Sequence, residues 1–256
     1  MMPGSMEDSK KGEREYYRRL GPEGLRHGLG KPYSDHDCNI HLAYLTAIFQ
    51  LLPPPPARLV EFGCGPGWLC LLLARRGYDV QGVDIAPDAI EAARRAAADA
   101  GVGRLTYDVA DYEAFATTVP ADAAIFYHAL HHAEDPALAL RCAAQSLKPG
   151  GMLIAVEPGY GHHATAQSQE VISRYGVHEN DMPGRRIVAL GRAAGFSRDL
   201  RLPCPWSAMR QLYRPGYSRA DSSRELRGKF LLGVGRLLRH VIRHRRQERE
   251  LVVLWK

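Results

Sequence analysis

The chain has 256 residues, 45% hydrophobic and 24% charged, with a formal net charge of +6. It is long enough to bury a sizeable core, and its composition is that of a soluble globular protein, with one domain plus trimmings as the default. No apolar run approaches the roughly 18–20 residues of a membrane-spanning helix. The five cysteines (38, 64, 70, 142 and 204) form an odd set without a CxxC pair, which is neither a disulfide framework nor a zinc site.

In chain order, residues 1–13 read as a disordered tail. The N-terminus is charged and lacks the apolar stretch of a signal peptide, so the expected location is cytoplasmic. Residues 14–56 read as an N-terminal cover. It is irregular through "REYYRRLGPEGLRHGLGKPY" and helical in "SDHDCNIHLAYLTAIFQLL", where Ser34 or Asp35 offers an N-cap. The four prolines at 53–56 stop that helix.

From Ala57 to Glu157 strands and helices alternate. "RLVEFG", "DVQGVD", "LTYDVA", "DAAIFYHA" and "MLIAVEP" read as strands; "GWLCLLLARRG", "PDAIEAARRAAADAG" and "PALALRCAAQSL" read as helices between them. This pattern predicts an α/β fold with a doubly wound, mostly parallel sheet, whose strand carboxyl ends share one ligand-binding edge. "RRIVALGRAAGF" and "SRDLRLP" extend the core to residue 200. Residues 201–249 read as a basic, partly helical insertion, with Leu226, Phe230, Val234, Leu237 and Val241 as the apolar stripe of one helix. Residues 250–256 read as the last strand of the sheet. Residues 201–256 hold fourteen Arg and Lys against four Asp and Glu, a balance of +10. A basic helix of that kind suits either a solvated face or a docking surface for nucleic acid or membrane.

The segment "LVEFGCGPGWL" puts glycines at 63, 65 and 67, between a strand and a helix, so that backbone can approach a ligand closely. A dinucleotide loop has the spacing GxGxxG, and Trp68 stands where its third glycine would fall. The neighbouring segments decide between the two readings. "VEFGCGPG", "GVDIAPDAIEAAR", "DVADYEAF", "HALHHAEDP" and "SLKPGGMLIAVEPG", in unbroken order over residues 57–160, resemble the motifs of class I S-adenosylmethionine-dependent methyltransferases of the small-molecule "type 11" kind.

The resemblance implies a Rossmann-like core over residues 57–200 and S-adenosylmethionine as cofactor, with S-adenosylhomocysteine as product. Cofactor contacts then fall on Glu61, Gly63, Cys64, Gly65, Gly67, Asp84, Ile85, Asp111, Tyr112 and His128, with Asp84 on the ribose and Asp111 at the adenine amino group. Asp84 alone would equally suit NAD, and both Asp84 and Asp111 also suit helix caps. Glu61 lies in a buried strand and needs donors, for which the neighbouring loop amides are expected. Ile85 and Tyr112 either sandwich the adenine or are plain core.

Methyl transfer to a hydroxyl needs a base, and histidine suits that role. The resemblance places His128, His131, His132 and Glu157 at the methyl, with His131 or His132 paired to Glu157; the alternative is that these histidines only shape the cofactor site. Tyr16, Tyr17, Tyr33, Tyr160 and His162 are the acceptor-site candidates, and no metal is expected. The function this implies is O- or N-methylation of a small-molecule acceptor by a monomer or homodimer. A nucleic-acid or membrane-associated acceptor docked by the basic C-terminal helix is the alternative.

Overall fold

The computed structural model describes residues 6–213, 218, 220–243 and 250–256. The chain begins with helices α1 (Met6–Gly30) and α2 (Cys38–Leu51). Alternation follows: β1 (Arg58–Phe62), α3 (Trp68–Arg75), β2 (Asp79–Asp84), α4 (Pro87–Asp99), β3 (Leu105–Val109), β4 (Ala121–Tyr127), α5 (Pro136–Gln145) and β5 (Leu147–Glu157). Helices α6 (Ala166–Tyr175) and α7 (Gly184–Ala193), strand β6 (Arg198–Pro203), helices α8 (Pro205–Tyr213) and α9 (Ser223–Arg243), and strand β7 (Glu250–Trp255) complete it.

The seven strands form one sheet in the order β3-β2-β1-β4-β5-β7-β6. All neighbours are parallel except β7, which runs antiparallel to β5 and β6. Helices cover both faces, which is why β4 carries the continuous apolar run Ala123, Ala124, Ile125 and Phe126, all fully buried. Alternate residues feed two cores. Ala123, Ile125 and Tyr127 face the side of α2 and α3, while Ala124 and Phe126 face the side of α5 and α7. The order reverses between β1 and β4, so the carboxyl ends of β1, β2 and β4 open into one crevice.

The N-terminal segment departs from expectation. The chain is helical from Met6, where a tail through residue 13 was expected. Residues 14–30 continue that helix, broken only at Gly21 (φ 68°) ahead of Pro22. Long-range partners explain the order: Lys10 reaches Asp111, and Glu13 accepts the His178 amide. Helix α2 starts at Cys38 with neither expected cap. Ser34 instead donates to the His27 carbonyl, and Asp35 accepts the Asp37 amide in a turn outside the helix. Strand β5 begins at Leu147, five residues earlier than expected.

Helix α9 forms as expected, but Phe230 of its predicted stripe is 51% exposed. The helix instead meets α8 through Gly233, whose bare Cα lies against the Gln211 carbonyl. Leu226, Val234 and Leu237 of the stripe are half-buried, and the side chain of Val241 lies outside the described residues, as does the basic run 244–249. Among the described residues no helix is long and apolar enough to cross a membrane.

Leu254 of β7 is fully buried, whereas Leu231 of α9 is 67% exposed. Leu254→Ala is expected to destabilise the fold by about 2–5 kcal/mol. Leu231→Ala is expected to stay within about 0.5 kcal/mol. Urea unfolding of the two variants checks the contrast.

Candidate active site

The glycine loop after β1 turns on three positive φ angles: Gly63 at 70°, Gly65 at 51° and Gly67 at 83°. The Gly63 and Cys64 amides donate to the Val83 carbonyl at 2.7 and 3.0 Å, which ties the loop to the end of β2. Asp84, the last residue of β2, then accepts the Gly65 amide on Oδ2 at 2.8 Å and the Ala86 amide on Oδ1 at 2.9 Å. Burial pushes its carboxyl up to about 6, against the pull of those two amides.

Two cavities open at this edge. The first is lined by Lys10, Glu13, Tyr16 and Tyr17 of α1 on one side and by Asp84, Ile85, Asp111, Tyr112, His128 and His132 on the other. The second is lined by Tyr17, Lys31, Glu61, Trp68, Tyr127 and His128, among others, and includes Cys64 and Gly65 in its wall. Tyr17, Gly63 and His128 belong to both. The Tyr17 hydroxyl lies over Gly65, where a Cβ would come within 2.5 Å of it. Most of the expected cofactor residues are therefore brought together here: Gly63, Asp84, Ile85, Asp111, Tyr112 and His128 at the first cavity, Glu61, Cys64 and Gly65 at the second. Gly67 lines neither and instead N-caps α3.

Glu61 is 2% exposed, and burial pushes its carboxyl up to about 8. Its donor is not the glycine loop, as expected, but the thiol of Cys70, in the first turn of α3, at 2.9 Å. Asp111 accepts from Lys10 Nζ at 2.5 Å and from the Glu113 amide at 2.9 Å. Tyr112 donates its hydroxyl to the Ala129 carbonyl at 3.0 Å, which fixes the ring at the cavity wall.

The histidines divide into two kinds. His128 follows β4 with φ 52°, its amide bound to the Val156 carbonyl at 2.8 Å. Burial pushes its imidazole down to about 3, so it is neutral at pH 7. His131 pairs with Glu157 as expected, Nδ1 to Oε2 at 2.7 Å, but it is 4% exposed and lines neither cavity. Its other nitrogen is 3.7 Å from Glu179. Glu157 also accepts the Ala129 and Leu130 amides at 3.1 and 2.8 Å, so it anchors the 3-10 turn Leu130–His132 as much as it orients a ring. His132 lines the first cavity, bonded to the His178 carbonyl at 2.6 Å and 3.4 Å from Glu13. Burial works against its charge, but Glu13 and Glu179 outweigh it and hold the imidazole up at about 10.

The expected acceptor residues fare unevenly. Tyr16 and Tyr17 line the first cavity. Tyr33 is 79% exposed and Tyr160 52% exposed under the Arg185 guanidinium, and neither lines these cavities. Tyr33 sits on the outward side of the turn that leads into α2. His162 bonds Glu179 at 2.5 Å behind His131, one layer away from the cavities. Lys10, Glu13, Lys31, His41 and Glu179 had no motif to announce them; only the folded packing brings them here.

Residues 60–155 match the sequence family described as "methyltransferase domain". Among curated proteins, the chain is 35% identical over 130 residues to a ubiquinone biosynthesis O-methyltransferase of Xylella fastidiosa, covering 50% of each chain. It is 35% identical over 135 residues to the protein so named from Xanthomonas campestris, covering 52% of each. The chain thus spans about half the length of the curated relatives it matches. Solved structures with the same fold include an S-adenosylmethionine-dependent methyltransferase from Mesorhizobium loti (TM-score 0.57, 20% identity, 84% of this chain and 98% of that one). Another is a phosphoethanolamine N-methyltransferase of Haemonchus contortus (TM-score 0.64, 17% identity, 98% of this chain and 60% of that one).

The raised Glu61 carboxyl has a direct consequence for stability. The folded protein keeps this proton up to about pH 8, whereas the unfolded chain loses it near its ordinary value of 4.5. Its contribution to folding is therefore fully present at low pH and falls as pH rises from the unfolded value through about 8. Glu61→Gln removes that loss, so its melting temperature without ligand should gain on the parent between about pH 5 and about pH 9. Differential scanning fluorimetry across that range checks it; a gap that does not change with pH would contradict it.

Proposed function

We propose, from the match of residues 60–155 to a methyltransferase domain, that this protein is a class I S-adenosylmethionine-dependent methyltransferase that binds the cofactor across both cavities and methylates a hydroxyl of a small molecule. The observation that carries this reading is the line of three carboxylates along one sheet edge. Asp111 and Asp84 border the first cavity and Glu61 the second, with Gly63 bare between them.

The residues fit the group in charge and in hydrogen-bonding capacity. Asp111 can accept from an adenine amino group once Lys10 gives way. Each Asp84 oxygen spends one lone pair on an amide and keeps one for a ribose hydroxyl. Lys31 matches the carboxylate of an amino acid, and Glu61, which keeps its proton in the free protein, would ionise beside its ammonium. Ile85 and Tyr112 flank the adenine position. Bound there, the cofactor supplies an electrophilic methyl on a sulfonium.

The chain's own residues position and enclose. Tyr17 closes the joint between the two cavities from α1. Glu157 holds the turn that carries Ala129 and His132, and His131 braces it from behind. His128, His132 and His178 are the histidines that line the cavities. The curated relatives' name supports an oxygen acceptor over nitrogen and a small molecule over nucleic acid.

Asp84→Ala should weaken S-adenosylhomocysteine binding by at least about 100-fold, since two hydrogen bonds to a charged group at about 1.5–3 kcal/mol each are lost. Isothermal titration calorimetry measures it, and an unchanged Kd would overturn the reading. In the parent protein, affinity should fall as pH drops below about 6, where Asp84 takes a proton. A screen of hydroxylated acceptors by mass spectrometry, scoring the gain of one methyl, then tests the oxygen acceptor.

A further inference from the structure

Behind the second cavity lies a chain of buried polar side chains that cofactor binding does not require. His41, in the first turn of α2, is 6% exposed. Its Nδ1 is 2.7 Å from the Tyr127 hydroxyl and its Nε2 is 3.4 Å from Asp35 Oδ2. Asp35 is itself fixed: Oδ1 accepts the Asp37 amide at 2.9 Å, and Lys31 Nζ lies 3.4 Å from Oδ2.

The geometry sets the hydrogens. Burial alone would push the Asp35 carboxyl up, but the Asp37 amide and the Lys31 charge outweigh it and hold it down at about 2, so it is an ion that can only accept. His41 Nε2 must then carry the ring hydrogen, Nδ1 bears the lone pair, and the Tyr127 hydroxyl donates into it. Trp68 packs edge-on against both His41 and Tyr127, with ring centroids 5.7 and 5.4 Å away, and keeps water from the pair. The remaining titratable ring beside His41 is His128, at 6.1 Å.

Tyr127 is in the wall of the second cavity beside His128 and Gly63, where the cofactor's methyl has to arrive if the reading above holds. The His131–Glu157 pair has no such outlet. It lines neither cavity, and its outer nitrogen faces a second carboxylate, Glu179. Three carboxylate–histidine pairs therefore flank the site: His131–Glu157 reaches neither cavity, His132–Glu13 opens on the first, and His41–Asp35 reaches the wall of the second through Tyr127.

We propose that Asp35, His41 and Tyr127 form a proton relay that deprotonates a neutral hydroxyl acceptor. This rests on the cofactor reading above. The acceptor O–H bond breaks as its proton bonds to the Tyr127 oxygen. The Tyr127 O–H bond breaks in turn, and that proton bonds to His41 Nδ1. The acceptor oxygen keeps its electron pair for the methyl, and the imidazolium is neutralised by Asp35 until it releases one proton to solvent. Tyr127 is the catalytic residue here; His41 and Asp35 act through it as positioning residues.

4-Nitrophenol, which colours on ionising, is the probe, added to protein saturated with S-adenosylhomocysteine in a buffer below the phenol's own pKa. The parent should bind it as the coloured anion. Tyr127→Phe and His41→Gln should each cut the bound anion by about 10-fold or more, with S-adenosylhomocysteine affinity kept within about threefold. With S-adenosylmethionine present, kcat on the same phenol should fall by about 10²–10⁴-fold in both variants while KM for the cofactor holds. A parent that binds S-adenosylhomocysteine but leaves the phenol neutral overturns the relay, as do variants that ionise it like the parent. Loss of S-adenosylhomocysteine binding in both variants also overturns it, by making the chain structural. A parent that fails to bind S-adenosylhomocysteine overturns the cofactor reading instead.

Discussion

Three carboxylates are held at one edge of a parallel sheet with less water than they need, and much of the surrounding structure answers that cost. Asp84 is relieved by two amides, Asp111 by a lysine from the N-terminal helix, and Glu61 by a thiol and by keeping its proton. An ion buried without donors is expensive, so a fold that keeps three such groups within reach of each other is arranged for something cationic or rich in donors. The three forms of relief differ in how easily a ligand can replace them. Backbone amides stay put, whereas a lysine ammonium on a helix can move aside.

That difference gives α1 its place in the account. Lys10, Glu13 and Tyr17 lie on one helix and contact Asp111, His132 and the glycine loop respectively. The helix is thus tied to the crevice by polar contacts to residues that a ligand would use, rather than by a deep apolar seam. Its packing against α4 and α6 holds it in register, while its inner face remains exchangeable.

The architecture was legible because the core writes itself in two clear periods. Strands buried on both faces appear as short apolar runs, and the helices between them end at Gly or begin at Pro, as at Pro87 and Pro136. The glycine spacing and the aspartate closing the second strand located the crevice. What stayed hidden depends on contacts between distant segments. Lys10 meets Asp111 across 101 residues and His41 meets Tyr127 across 86, and neither pair lies in a patterned stretch. Glu61 shows the same limit at short range: its burial was legible, but its donor lies in the first turn of α3. Helices α6 and α8 carry too little periodicity in ten and nine residues to stand out from loop.

The central claim is one of placement, and a crystal structure of the protein with S-adenosylhomocysteine tests it most directly. The account predicts the ribose hydroxyls on Asp84, the adenine beside Ile85 and Asp111 with Lys10 displaced, and the amino-acid half against Glu61 and Lys31. Density for the nucleoside anywhere other than over Gly63 and Asp84 would contradict it.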